Sequence, residues 1–171
     1  SQTQSTPNDA AHIAEDGDFG VADATGSGKY SFTLNHKAAY VTFMPYNANG
    51  VIPGAKIQKI RVYTNNTSDQ LAGTFDLADN GTLSNGTTTS NSVELNVNDF
   101  TLPSAYSYTT NGATMVLNPG TYSNVTIEYT LHDAGTNVTG TVKKTYPSVT
   151  FDAGKNTPVR SDLKIKVYHG N

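Results

Sequence analysis

From Tyr30 onward, hydrophobic residues recur at every second position, which is the period of a β-strand with one buried face. Tyr30, Phe32 and Leu34 share one side of the first stretch, and Ser31 and Thr33 share the other. This alternation predicts a half-buried strand.

The same alternation returns at intervals along the rest of the chain, between turn dipeptides such as Asn49-Gly50 and Pro53-Gly54. Residues 84–91 predict a polar connection, and residues 99–108, with Pro103, predict a loop. Further strands are expected around Ala39, Val41 and Phe43 (ending at Pro45); Ile60, Val62 and Thr64; Leu71, Gly73, Phe75 and Leu77; Val93, Leu95 and Val97; Val149 and Phe151; and Leu163, Ile165 and Val167.

The last third gives the clearest pattern. Val125, Ile127, Tyr129 and Leu131 alternate with polar residues, a turn follows around Gly135, and residues 138–146 lead back, which predicts a hairpin. About seven to nine short strands without a sustained helical period predict an all-β, antiparallel β-sandwich.

The first 28 residues differ because their apolar residues show no sustained period. We therefore expect a flexible N-terminal leader over residues 1–28 and a β-sandwich domain over residues 29–171.

Composition narrows the function classes. A net charge of −3 and a pI near 5.7 provide no basic field for nucleic acid or an anionic membrane. The absence of cysteine excludes disulfides, thiolate metal sites and cysteine nucleophiles. No stretch of about 18 apolar residues occurs, so we expect a soluble chain from which any signal peptide has been removed. Abundant Thr, Asn and Gly with few lysines is typical of exported surface proteins.

Motifs for catalysis or cofactor binding are missing from the sequence. Gly26-Ser27-Gly28 lacks the third glycine of a phosphate-binding loop, and no G-x-S-x-G motif is present. We expect no cofactor, no metal site and no enzymatic activity. We expect the side chains of the four histidines to be solvated, because none has a motif of a catalytic triad nearby: His12, His36, His132 and His169. The acidic residues near the N-terminus lack the spacing of a calcium loop, and we expect their side chains to be solvated too: Glu15, Asp16, Asp18 and Asp23.

Two alternatives to a non-catalytic role remain open. Glu94 and Glu128 would suit glycoside hydrolysis if their carboxylates lay about 5 to 10 Å apart in one cleft; otherwise they are surface cross-strand partners. Exposed tyrosines offer sugars an apolar face and a polar hydroxyl, which suits a carbohydrate-binding module. The candidate tyrosines are Tyr63, Tyr106, Tyr108 and Tyr168, with Tyr106 and Tyr108 as the expected glycan contacts.

Four segments carry a family resemblance: LNHKAAYVTF at 34–43, GAKIQKI at 54–60, LNPGTY at 117–122 and VTFDAGKN at 149–156. In their order and spacing they resemble the N-terminal domain of the fimbrillin-like proteins of Bacteroidales, the type V pilins.

The resemblance implies a transthyretin-like sandwich in a cell-surface lipoprotein of the outer membrane that acts as a fimbrial subunit, anchor or tip adhesin. Its partners would be other pilin-like subunits or host surface ligands, and its outer-membrane attachment would depend on a lipid anchor that the printed chain lacks. Members of the family often carry two such sandwiches, and this chain has the length for one.

The resemblance further implies assembly by strand exchange. In such pilins a trypsin-like protease removes the first strand, and a strand of another subunit fills the resulting groove. Tyr30, Phe32 and Leu34 are then the candidate displaced face, flanked by Lys29 and Lys37 as candidate processing sites. Neither lysine is the arginine that the best-known members use, and a permanently paired first strand is the competing interpretation.

Overall fold

The computed structural model describes residues 2–5, 7, 20–25, 31–36, 38–77 and 83–166, with the backbone alone for 20–25, 31–36, 73–77 and 83–89. Within these ranges the chain forms twelve strands and one short helix. In chain order they are β1 (Gln2–Gln4), β2 (Gly20–Thr25), β3 (Ser31–His36), β4 (Ala39–Tyr46), β5 (Ala55–Thr64), β6 (Ala72–Leu77), β7 (Leu83–Ser90), β8 (Ser92–Thr101), α1 (Tyr108–Asn111), β9 (Ala113–Leu117), β10 (Gly120–Asp133), β11 (Val138–Phe151) and β12 (Asn156–Asp162).

Two sheets of five and three strands make up the sandwich, which confirms the predicted all-β architecture. The larger sheet has the order β1-β8-β5-β10-β11, and the smaller one has the order β12-β4-β9. Two further strand pairs, β2-β3 and β6-β7, form separate two-stranded sheets.

Both sheets are mixed rather than purely antiparallel, which corrects the expectation at two edges. β1 lies parallel to β8, and β12 lies parallel to β4, whereas the other pairings are antiparallel. A tight hairpin can join only antiparallel strands. β1 and β12 are far in sequence from their partners, so the connection does not impose an antiparallel direction.

The core lies between the two sheets and is built from the alternating residues of their inner faces. In the smaller sheet, Val41 and Phe43 of β4 and Met115 of β9 are buried, and they pack against Ile60 of β5 and Tyr129 of β10. The ring of Phe43 meets that of Tyr129 edge to face at 6.3 Å between centroids. The period-two pattern of the sequence therefore identified the core-facing residues of the central strands.

The predicted hairpin is confirmed, and its strands are longer than expected. β10 and β11 pair from Gly120 with Phe151 to Asp133 with Val138. Val149 and Phe151 continue β11 and do not form a separate strand. β11 continues through Pro147, which is missing from the register with β10. In the described part of the chain β11 is the last strand of its sheet, and proline is tolerated in such edge strands.

Three other boundaries differ from the sequence prediction. The polar stretch expected to be a connection is strand β7, which shows that paired polar residues suffice for a two-stranded sheet. The last strand is β12, ahead of the predicted Leu163, Ile165 and Val167; Leu163 and Ile165 follow it outside any strand, and Val167 lies outside the described residues. Pro45 does not end β4: the ladder to β9 already ends at Phe43, and the ladder to β12 continues through Pro45 to Tyr46.

The structure also differs from the leader expectation within residues 1–28. Gln2–Gln4 form an edge strand of the larger sheet, and Gly20–Thr25 form β2. The apolar pattern gave no signal for β1 because the two inward side chains of this strand are glutamines.

Candidate functional site

Strand β1 closes one side of the sandwich through side-chain amides. The amide nitrogen Nε2 of Gln4 donates to the carbonyl of Gly112 at 2.8 Å, and the N–H of Thr114 donates to Oε1 of Gln4 at 2.8 Å. Gln2 makes a similar pair of bonds farther along β9, here to a single residue. Its Nε2 donates to the carbonyl of Val116 at 2.6 Å, and its Oε1 accepts the N–H of Val116 at 2.9 Å.

Each glutamine thereby replaces a peptide group of a neighbouring strand. A side-chain amide carries the same donor and acceptor as the backbone. Residues two apart on a strand share a face and have the same spacing as alternate residues of the opposing strand, so Gln2 and Gln4 match the repeat of β9. Both side chains are buried, Gln4 with 2% of its surface exposed. The five-stranded sheet is thus joined to β9 without a continuous backbone ladder.

The opposite side of the sandwich, between β11 and β12, is open. Each of these strands is the last of its sheet in the described part of the chain. We call the cleft between them the seam. Its first part is a cavity of about 290 Å³ with a floor of core residues, walls from Tyr146 and Val149 of β11, and walls from Pro158 and Val159 of β12.

A second cavity of about 440 Å³ continues the seam toward the turn of the β10–β11 hairpin. It is lined by Val138 and Val142 of β11, by Leu131 of β10, and by Ile52 and Ile165 from loops. The two cavities therefore follow most of the length of β11, with mainly apolar walls.

A single lysine of β11 points inward between the two cavities. Lys144 is paired with the core residue Ile127 and lies between Val142 and Tyr146 on the inner face. Its charge acts on Asp162 at the end of β12. An inward charge on an edge strand, together with Pro147 and Pro158 in the two edges, opposes indiscriminate strand pairing.

Asp162 fixes the chain where it leaves β12. Its carboxylate accepts the backbone N–H groups of Ala48 and Lys164, both at 3.1 Å, and these hydrogen bonds lower its pKa. The positive charges of Lys164 and Lys144 act in the same direction. Asn47 is buried and bonds the backbone of Ile165 through both its amide atoms. The wall of the seam beyond β12 is therefore held by side chains rather than by a sheet.

Of the predicted glycan contacts, Tyr106 lies in a small aromatic cluster. Its ring is 54% exposed, the guanidinium carbon of Arg160 lies 4.8 Å from its centroid, and the ring of Tyr46 lies 6.1 Å away. Tyr108 begins α1 and is 44% exposed. Tyr63 lies elsewhere, under Arg61 at 4.2 Å, and Tyr168 is outside the described residues.

The two candidate catalytic glutamates lie in one row on the outer face of the five-stranded sheet. Arg61 of β5 is opposite Glu94 on one side and opposite Glu128 on the other. Two strand spacings separate the carboxylate-bearing strands by about 10 Å. Glu94 lies 3.9 Å from the ammonium of Lys59, and Glu128 lies 3.6 Å from that of Lys143. This arrangement is the cross-strand surface pairing considered as the alternative interpretation.

The proposed displaced face lies in the hairpin of β2 and β3. Phe32 is opposite Ala24 and Leu34 is opposite Ala22, and the structure gives only the backbone of these residues. Tyr30 and the candidate processing residues Lys29 and Lys37 lie outside the described residues. The three candidates for exchange and the two lysines are therefore not brought together in any described site.

Sequence reasoning missed Gln2, Gln4 and Lys144. Alternating glutamines are a weak signal, because nothing in the sequence names β9 as their partner. Lys144 had a stronger signal, since it shares the parity of Val142 and Tyr146 in the predicted returning strand.

Across the described ranges, no three His, Asp or Glu side chains cluster in a way that would hold a metal ion. The same part of the chain contains no helix with the length and apolar character of a membrane span. Neither a scan against protein-family models nor a search of curated proteins returned a match for this chain.

We predict that Gln4→Ala lowers the free energy of unfolding by about 2–4 kcal/mol, because it leaves the N–H of Thr114 and the carbonyl of Gly112 buried and without these partners. Urea denaturation measures the change. Gln58→Ala is the matched control: its side chain bonds Asp99 at an exposed position, and a loss below about 1 kcal/mol is expected. Equal losses in the two variants would contradict the amide bridge.

A second prediction concerns alkaline pH. Burial, with a contribution from the charge of Asp69, raises the pKa of Tyr122 from 10.0 to about 12, and its hydroxyl donates to the carbonyl of Asn118 at 2.8 Å. The folded state therefore holds this proton more tightly than the unfolded state. Its contribution to stability is complete below pH 10 and is lost as the pH rises toward about 12.

Urea titrations across this pH range test the prediction through the slope of unfolding free energy against pH. Tyr122→Phe should show a shallower slope than the wild type. Tyr108→Phe, which changes an exposed ring, should keep the wild-type slope. An unchanged slope in Tyr122→Phe would show that this hydroxyl is not protected in the folded state.

Proposed function

We propose that this chain is a non-catalytic cell-surface fimbrial subunit or adhesin that assembles by strand exchange. The observation that carries the proposal is the way β1 is held: three residues of backbone pair with β8, and two glutamine amides bridge to β9. A strand held over so short a length can leave without unfolding the core, and another extended segment can take its place.

When β1 leaves, it vacates a site beside β8 and β9, which we call the β1 slot. The polar groups of the β1 slot favour binding of a new strand. Departure of β1 exposes the edge of β8 and leaves the Thr114 and Val116 N–H groups and the Gly112 and Val116 carbonyls without these partners. An unpaired buried polar group costs about 1–3 kcal/mol. An incoming strand with amides at alternate positions satisfies the same four groups, as in β-strand addition.

The sequence also supplies a way to release β1. Lys29 and Lys37 are the first two basic residues, and a cut after either one separates β1 from the strands that begin with β4. In this proposal the exchanged strand is Gln2–Gln4 rather than the face of Tyr30, Phe32 and Leu34. The resemblance to fimbrillin-like proteins supports the surface location, the fimbrial role and the pilin-like partners.

We predict that cross-linking β1 to β8 abolishes exchange. The chain has no cysteine, and Thr3 and Asn96 are register partners in the β1–β8 ladder, so a Thr3→Cys/Asn96→Cys variant introduces one disulfide between neighbouring strands. Chains nicked by limited trypsin digestion are mixed with a fluorescent peptide of residues 1–7, and peptide incorporation is followed by gel filtration.

The nicked wild type should take up the peptide and also form ladders on gels, whereas the oxidised variant should do neither. Reducing the disulfide should restore uptake, which makes the reduced protein its own control. A Lys29→Gln/Lys37→Gln chain should resist this cut and remain unexchanged. Nicked wild-type chains that stay monomeric and exclude the peptide would overturn the proposal.

A second candidate function, glycan binding by an exported module, is favoured by the exposed ring of Tyr106 beside Arg160 and Tyr46. We predict that a Tyr106→Ala/Tyr108→Ala variant loses binding on a glycan array. Tyr63→Ala, on β5 of the five-stranded sheet and outside this cluster, should leave it unchanged. Absence of array binding by the wild type would remove this candidate without affecting strand exchange.

A further inference from the structure

The backbone groups that receive β1 are held in place by the rest of the fold. β9 pairs along its other edge with β4, from Ala113 to Leu117, and this ladder orients its backbone. At the end of α1, the N–H of Gly112 donates to the carbonyl of Tyr108 at 2.9 Å, and a Cβ atom at Gly112 would lie 2.5 Å from that carbonyl oxygen, too close for another residue. The β1 slot is therefore formed before any strand enters it.

The β1 slot presents one hydrogen-bond donor and one acceptor to each inward side chain. The carbonyl of Gly112 and the N–H of Thr114 face Gln4, whereas both backbone groups of Val116 face Gln2. The two glutamines are only 2% and 8% exposed, respectively, so water does not replace these partners while the strand is bound. A buried site of this kind strongly rejects ligands that leave its polar groups unpaired.

Glutamine supplies both groups at the required distance. Leucine supplies neither a donor nor an acceptor, and the carboxylate of glutamate only accepts, so it would bring a buried negative charge against a carbonyl oxygen. Asparagine carries the same amide on a side chain shorter by one C–C bond, about 1.5 Å, which would stretch the bonds of Gln4 beyond the hydrogen-bonding limit of about 3.5 Å. The β1 slot therefore distinguishes glutamine from its nearest relatives.

The sequence contains the matching pattern once. The chain has four glutamines, and only Gln2 and Gln4 stand two residues apart. A shift of the entering strand by one residue would turn Thr3 inward, and its hydroxyl is too short to replace an amide. A shift by two residues would leave one amide in the slot. The pattern therefore fits in one register, and every copy of the chain carries it.

We propose that the β1 slot recognises the Gln2–Gln4 segment of a second copy through the two side-chain amides. The backbone pairing with β8 suits any extended strand, so the amides carry the specificity and the register. This inference rests on the proposed strand exchange, because β1 must leave before another strand can enter. It adds the identity of the partner and the two residues that select it.

Peptide competition at pH 7 tests the selection. Unlabelled variants of the peptide of residues 1–7 compete with the fluorescent wild-type peptide for nicked chains. Peptides in which both Gln2 and Gln4 are replaced by Leu, by Asn or by Glu should each compete about tenfold less well, or worse. A Ser5→Glu peptide is the matched control for charge, because Ser5 is exposed beyond the end of β1. It should compete as well as the wild type.

A full-length Gln4→Glu chain tests the same chemistry without any exchange. A protonated carboxyl group has one O–H donor and one carbonyl acceptor, so it can replace the amide, whereas the carboxylate cannot. Burial raises the pKa of a carboxyl group in the folded state. The stability of the variant, measured by urea denaturation, should therefore approach that of the wild type below about pH 4 and fall behind it as the pH rises toward 7.

The charges around this position do not obscure the comparison. β8 and β9 are the described strands that pack against β1, and β9 has no titratable side chain. Of the acids of β8, Glu94 lies at the surface beside Lys59, and Asp99 accepts a hydrogen bond from Gln58. Tyr108 of α1 stays protonated across this pH range. Measuring the wild type and a full-length Ser5→Glu control at each pH removes the contribution of these groups.

The two experiments separate this inference from strand exchange. If the wild-type peptide enters but the leucine peptide competes equally well, selection by the amides is overturned and the exchange stands. Equal pH dependence of the Gln4→Glu and Ser5→Glu chains would overturn the selection in the same way. If no peptide enters, including the wild-type one, strand exchange is overturned and recognition of a second copy falls with it, whatever the pH dependence of Gln4→Glu.

Discussion

The structure depends on satisfying the backbone at the edges of two sheets that share one core. Apolar residues hold the sheets together, but they do not pair the N–H and C=O groups at the edges. On one side, Gln2 and Gln4 supply the missing partners for β9. On the other side, β11 and β12 leave a seam above the core. The candidate functional surfaces follow from this difference between the two sides.

The energetic consequences of the two sides are different. The β1 slot is a small polar site in which four backbone groups find partners, so its occupancy is governed by hydrogen bonds that are costly to leave unmade. The seam is a longer and mainly apolar site with one inward cation. A segment bound there would be stabilised mainly by covering apolar surface. A substitution can therefore weaken one site while leaving the other intact.

The sequence predicted the sandwich because its strands bury alternate residues, as Val125, Ile127, Tyr129 and Leu131 do in β10. It did not predict β1 or β7, since both strands are polar and their stability comes from partners far along the chain. The parallel directions of β1 and β12 were also hidden, because periodicity carries no information about direction. Among the candidate residues, Tyr106 lies in a cluster with Arg160. The role of Gln2 and Gln4 could not be predicted from the sequence, because it depends on β9, which lies beside them only in the folded chain.

β1 and β11 lie at opposite edges of the same sheet, and this has a consequence for the symmetry of any assembly that uses both edges. Four strand spacings, about 19 Å, separate β1 from β11. A contact in which unlike surfaces of two subunits meet is heterologous, so it leaves one surface of each kind unused at the two ends of the pair. Such contacts do not close into a two-fold dimer. They repeat, and the rotation between successive subunits decides whether the result is a ring or an open helical fibre.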